Sequence, residues 1–404
     1  MDFSGSRRRR SARIASIAVA AAASVTMVAG CTSDSPKASE PTAVDSSTSS
    51  KAVSSSSVAR STSTSNICGG DLLAKMSLRR KLAQSLVVGV KNVDDARAVV
   101  RKEHIGGIFI GSWTDMSILS SGDAAKLSKS QTVPLMVTVD QEGGRVQRLS
   151  SLGLSMPSAR QLVADGKTPD QVRTMVKAQG EKMRKLGITV DFAPVVDVSD
   201  EDDDEVIGDR SFSNDPEVVT KYAEAYAKGL QDAGIMPVFK HFPGHGHASG
   251  DTHLGGAHTP PLSQLMTSDL VPYRTLLKNP GDAGVMVGHL MVPGLTGQQT
   301  PASISPKAIG MLRTGAKYDA PPFDGVVFSD DLSGMKAIAD KYPIDQAVLK
   351  ALQAGSDIGL WLSTDKVTAV LNTLEGAVKS GKLSTERVDR SVVRILRAKG
   401  VLRC

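Results

Sequence analysis

The chain has 404 residues, 40% of them apolar and 22% charged, a composition that excludes both wholesale disorder and an integral membrane protein. Aromatic residues make up only 4%, which argues against a nucleic-acid module built on base stacking, and three cysteines exclude a disulfide-dense scaffold and a four-cysteine metal site. The formal net charge of +6 is concentrated in residues 1–30, where five arginines face a single acid, Asp2, so the remainder is close to neutral and needs no polyanionic partner.

In chain order, basic residues 7–13 precede a run of small apolar residues over 14–29. That run is too short for a comfortable membrane span and has the form of a signal-peptide core. It ends in Val28-Ala29-Gly30-Cys31, which resembles the bacterial lipobox. The resemblance implies that Cys31 is lipidated and that the chain is exported and held by lipid to the outer face of the cell membrane. An ordinary signal peptide with an incidental cysteine is the alternative. Residues 32–66 hold 19 Ser or Thr among 35 and no aromatic residue. Such a segment buries too little apolar surface to offset its ordering entropy, so 31–66 reads as a flexible tether with a reach of about 30–35 Å.

From residue 67 the texture changes, and 67–404 reads as one globular domain. Short β-branched runs at 86–90, 106–110, 135–140, 189–195, 236–241, 283–289, 325–330 and 356–360 predict eight strands. Helical patterns fall between most of them, at 170–186, 215–233, 263–278, 344–353 and 365–379. Apolar strands alternating with helices indicate a parallel sheet buried on both faces. Eight of them in this length predict an α/β fold of the (β/α)₈ TIM-barrel type, with a doubly wound open sheet as the alternative. Asp140, Asp197, Lys240, His241, His289 and Asp330 all fall at the C-terminal ends of predicted strands, the rim on which such barrels carry their chemistry.

Five of the seven histidines lie between 241 and 258. A metal site is one reading of this cluster, but Pro243, Gly244 and Gly246 prevent the helix that a paired-histidine ligand set needs. The other reading is a glycine-rich loop that wraps a ligand, in which Asp251 orients His253 and raises its basicity. At the seventh strand end, Asp330 is a carboxylate free to act as nucleophile or ligand, while Asp331 is a second functional acid, a helix N-cap or a partner in a structural salt bridge. Asp140 with the arginines that follow it suits clamping of sugar hydroxyls, and Arg210 is a further ligand contact behind an acidic run at 200–205.

Together, Lys240-His241-Phe242-Pro243-Gly244-His245-Gly246, Asp251-Thr252-His253, Asp140 to Arg145, Gly208 to Phe212 and Ser329-Asp330-Asp331 resemble the family 3 glycoside hydrolases. Within that family they are most similar to bacterial β-N-acetylglucosaminidases acting on peptidoglycan fragments. The resemblance implies Asp330 as nucleophile, His253 as acid/base with Asp251 as its partner, and Asp140, Arg148, Arg210, Lys240 and His241 as sugar-holding residues. It implies retention through a glycosyl-enzyme, no metal or organic cofactor, a carbohydrate substrate, no nucleic-acid partner and a monomer. Phosphate in place of water as acceptor, or a non-catalytic sugar-binding lipoprotein, are the alternatives. With Cys31 lipidated, Cys68 and Cys404 remain, and closure of a barrel brings the two ends of the domain together, so these two are expected to form a disulfide.

Overall fold

A computed structural model describes residues 69–403. The signal segment, Cys31, the tether, Cys68 and Cys404 lie outside the described residues. Among the described residues no helix is long and apolar enough to cross a membrane.

All eight predicted strands form: β1 (Leu86–Gly89), β2 (Gly107–Ile110), β3 (Met136–Val139), β4 (Val190–Asp191), β5 (Met236–Phe242), β6 (Gly284–Val287), β7 (Val327–Asp331) and β8 (Ile358–Trp361). Each pairs in parallel with its neighbours in sequence, and β1 closes the barrel by pairing with both β2 and β8, Val87 standing opposite Gly107 and Leu360. The fold is the predicted TIM-type barrel.

The apolar runs are unbroken because both faces of each strand are buried. In β1, Val87 points into the barrel with Phe109, Met136, Val190, Phe192, Val238, Phe328 and Leu360, while Leu86 and Val88 face the surrounding helices. The interior is a packed core, with Phe192 stacked on Phe109 at 5.9 Å and edge-on to Phe328 at 5.4 Å between ring centroids.

The helices start where the local chemistry dictates. The first long one, α1 (Val93–Glu103), is capped by the Asn92 side chain. Next, α2 (Pro169–Lys185) has a reciprocal Thr168–Gln171 capping box with Pro at its first turn, and α3 (Pro216–Asp232) is capped by Asp215 ahead of Pro216. These two pack so closely that a Cβ on Gly229 would lie 2.6 Å from the Arg173 carbonyl. The pattern at 263–278 does not make one helix. It forms Leu262–Leu265 and Val271–Leu276, because Pro272 supplies no N–H and its ring would clash with a preceding turn. Three C-terminal helices, α4 (Ile344–Ala354), α5 (Val367–Lys379) and α6 (Thr385–Ala398), complete the outer ring. Just before β8 the fully buried Asp357 is surrounded by Arg313, Arg387 and Arg394, which ties α6 to the end of the barrel opposite the site.

Candidate active site

At the C-terminal rim, β5 delivers Lys240 and His241 in succession, and both side chains line the same cavity. The Lys240 ammonium lies 2.7 Å from Asp140 Oδ1, beyond β3, and 2.5 Å from Glu142 Oε1. Glu142 in turn receives both Nε and Nη2 of Arg210, at 2.8 and 2.9 Å. Burial alone would raise the Glu142 pKa, but Arg210 and Lys240 outweigh it and hold the carboxylate well below its ordinary range. Lys240 has three N–H donors and two carboxylate neighbours, which leaves one donor for a ligand.

The second buried pair is His241 and Asp197. The ring Nδ1–H donates to Asp197 Oδ2 at 2.7 Å, and Asp197 Oδ1 accepts from the backbone N–H of His241 and of His245 at 3.1 and 2.8 Å. This clamp turns the chain sharply. A Cβ on Gly246 would lie only 1.9 Å from the Val198 carbonyl, so only glycine fits there.

Asp330, 7% exposed at the end of β7, completes the floor. Burial pushes its carboxyl up, but His241, His289, the Asp331 N–H at 2.9 Å and Lys240 bring it below the usual carboxylate value, so it is an anion at neutral pH. Asp331 is a turn cap: its two oxygens accept from Ser333 N and Oγ and from Gly334 N, all at 2.8 Å. His289 locks this turn, its Nε2–H donating to the Asp331 carbonyl at 2.7 Å and its Nδ1 facing the Ser303 hydroxyl at 2.6 Å.

At the mouth the third pair differs. His253 Nδ1 and backbone N–H both meet Asp251 Oδ1 at 2.8 Å, but the His253 side chain is 58% exposed. Burial acts to raise the Asp251 pKa, and these two N–H contacts more than offset it. With Nδ1 committed, the ring presents Nε2 for proton transfer. Three of the five histidines of the cluster go to separate carboxylates, His241 to Asp197, His253 to Asp251 and His247 to Asp269 at 2.9 Å, and no three metal-ligating side chains converge among the described residues.

Asp140, Glu142, Arg148, Arg210, Lys240, His241, His253 and Asp330 all line one cavity of about 300 Å³, the lower end of ligand-pocket sizes. Asp251 stands behind His253 as its partner. Arg148 has no hydrogen-bond partner among the described residues, whereas Arg210 places two of its five N–H groups on Glu142.

The sequence reading passed over Glu142 and left Asp197 without a partner. The signal for Glu142 was present, since it lies two residues after Asp140 and an extended chain carries such a pair on one face. His245, a cavity-lining residue whose buried Nδ1 has no partner, and Trp113 carried no such signal.

The glycosyl hydrolase family 3 N-terminal domain matches residues 77–398. Over 328 residues the chain is 58% identical to the β-hexosaminidase LpqI of Mycobacterium tuberculosis, covering 81% of this chain and 84% of that one. A solved family 3 glycosyl hydrolase from Mycobacterium smegmatis is 57% identical, with a TM-score of 0.80 and coverage of 82% of this chain and 99% of that one. A family 3 β-N-acetylglucosaminidase from a Paenibacillus is 33% identical, with a TM-score of 0.74 over 81% of this chain and 62% of its own. Matched along almost the whole described barrel, with the motif residues gathered in one cavity, the chain belongs to glycosyl hydrolase family 3.

Proposed function

We propose that this glycoside hydrolase is a retaining exo-β-N-acetylhexosaminidase that removes terminal β-linked N-acetylglucosamine from peptidoglycan-derived fragments. The observation that carries the reading is the division of labour in the cavity: an ionised Asp330 on the floor and a carboxylate-held imidazole at the mouth. Asp330 attacks the anomeric carbon while the His253 Nε2–H protonates the departing glycosidic oxygen, and a glycosyl ester forms. The His253 ring, now neutral, takes a proton from water, which attacks the same carbon and releases Asp330. Two inversions give net retention. An imidazole, cationic as the acid and neutral as the base, suits this position because it never adds the negative charge that a second carboxylate would place beside anionic Asp330. Asp140, Arg148, Arg210, Lys240 and His241 hold the sugar. The names carried by the relatives, β-hexosaminidase and β-N-acetylglucosaminidase, support the substrate class.

The test is the first-formed product. Its NMR spectrum is expected to show the β anomer, and a 5-fluoro glycosyl fluoride is expected to leave a covalent adduct on the peptide containing Asp330. A first-formed α anomer overturns retention, and sugar 1-phosphate formed in phosphate buffer replaces hydrolysis by phosphorolysis. The preferred fragment is read from relative turnover of GlcNAc–anhydroMurNAc, GlcNAc–MurNAc and chitobiose.

The same reading places a monomeric enzyme outside the cell membrane, tethered through lipidated Cys31 and closed by a Cys68–Cys404 disulfide. The contact between Gly69 and Leu402, where an added Cβ would meet the Leu402 side chain at 2.7 Å, supports the disulfide by bringing the two described ends together. Loss of membrane fractionation in Cys31→Ala tests the anchor. Alkylatable thiols at both other cysteines in the unreduced, exported protein overturn the link.

A further inference from the structure

Among the described residues the two exposed large apolar side chains are Trp113, 44% exposed, and Leu254, 76% exposed. Scattered surface apolar residues need no explanation, but a half-exposed tryptophan lining a charged cavity does. Trp113 lines the cavity that holds Asp330 and His253, and Leu254 is the residue after His253.

Trp113 is rigidly held. It follows β2 in a turn locked by Thr114, whose hydroxyl donates to the Val90 carbonyl at 2.7 Å and accepts from the Gly111 N–H at 3.0 Å. The indole lies over Gly111, where a Cβ would come within 2.3 Å of the ring. Beneath it, Phe109 is 6.0 Å away and tilted by 48°, and Phe109 continues through Phe192 to Phe328, two residues before Asp330. An aromatic column thus rises from the barrel interior and ends in a half-exposed indole face at the mouth.

Depth assigns the ligand. The charged groups that grip the reacting sugar are buried on the floor, and His253, which protonates the leaving oxygen, stands at the mouth. A ring meeting Trp113 therefore lies on the leaving-group side. We infer that Trp113 is the stacking platform of a second sugar subsite, which receives the apolar C–H face of the pyranose on the leaving-group side. This assignment rests on the proposed glycosidase reaction and deepens it, since it makes the enzyme selective for aglycones that carry a ring.

The experiment compares two β-N-acetylglucosaminides that share the reacting sugar: the glycosyl fluoride, whose leaving group has no ring, and the disaccharide. In Trp113→Ala the ratio of disaccharide to fluoride kcat/KM is expected to fall about tenfold, as loss of one apolar stacking face implies. Trp113→Phe is expected to restore most of it. An unchanged ratio overturns the inference, whether both rates fall or neither does. A second readout uses the unmodified enzyme. The chain has two tryptophans, and Trp361 is only 1% exposed, so acrylamide quenching reports on Trp113. A non-hydrolysable S-linked disaccharide is expected to protect against quenching and free N-acetylglucosamine is not. Equal protection by the monosaccharide places Trp113 against the reacting sugar and overturns the subsite. Failure of the glycosidase reading itself looks different, because the wild-type enzyme then cleaves neither substrate.

Discussion

His241–Asp197 and His253–Asp251 are the same two groups at nearly the same separation, 2.7 and 2.8 Å, in one cavity. They differ in burial. Asp197 is wholly enclosed and also holds two backbone N–H groups, whereas the His253 ring is more than half exposed on a loop. A buried pair has one geometry and cannot exchange protons readily with water, so it organises the floor. An exposed pair stays wet and accessible, as a group that donates and then accepts a proton must be. Identical chemistry thus takes a scaffolding role in one place and a reactive role in the other, and the surroundings decide which.

The sharpest way to break this comparison is to remove the floor's reacting group. Asp330→Ala is expected to lower kcat by about 10⁴-fold or more while the protein stays folded, because loss of a covalent nucleophile is not compensated by binding. Residual kcat above about one-tenth of wild type on a chromogenic N-acetylglucosaminide would remove Asp330 from the nucleophile position.

Next in size is His253→Ala. On disaccharides the loss is expected to be about 10²–10⁴-fold, the usual worth of general acid–base assistance. A nitrophenyl substrate needs little protonation, so stopped-flow traces should show a burst of nitrophenol followed by slow turnover. Equal losses on both substrates without a burst would assign the ring to positioning. Asp251→Asn is expected to act in the same direction with a smaller effect.

The two aspartates should separate in stability rather than rate. Asp197→Ala leaves a buried imidazole and two backbone donors without their acceptor, and is expected to cost about 3–5 kcal/mol in urea unfolding. Asp251→Ala is expected to cost no more than about 1 kcal/mol, because its partner is open to solvent. Similar costs at both sites would dissolve the contrast drawn from burial.

The smallest effect is a pH dependence of stability. Asp330, Glu142 and Asp197 are held below their ordinary values despite burial, so their contribution is present above the ordinary carboxylate range near 4 and is lost as pH falls through the lower folded values. Asp191 at the end of β4 runs the other way. Its buried Oδ2 has no partner and burial pushes its pKa up to about 8, so the folded chain keeps a proton that the unfolded chain releases near 4. Its contribution is complete below that value and is lost as pH rises toward 8. Relative to Asp191→Asn, the wild type is expected to lose about 2–3 kcal/mol between about pH 5 and about pH 7. Parallel stability curves for the two proteins would show that Asp191 is ionised in the fold.

The eight strands were legible because each is a short apolar run whose residues are buried on both faces, a local property that needs no partner to be recognised. The rim was legible too, since Asp140, Lys240, His241 and Asp330 are polar side chains ending apolar strands. Asp251 and His253 are close enough in sequence for their contact to be read directly. Other features were not local. The pattern at 263–278 looked continuous, and a single proline divided it. Arg210 and Arg148 looked alike as sugar-holding cations, and only the fold shows that Arg210 is also paired with Glu142. Glu142 lies in the same motif as Asp140, and its two partners, Lys240 and Arg210, come from distant segments. Trp113 gained meaning only when closure set it over the same opening as His253. Sequence by itself determined the period of the strands, the polar character of their ends and the one short-range acid–imidazole pair. Tertiary structure alone decided which charges meet, because the Lys240–Asp140 contact joins residues 100 positions apart, and no local preference encodes a distance that exists only once the barrel has closed.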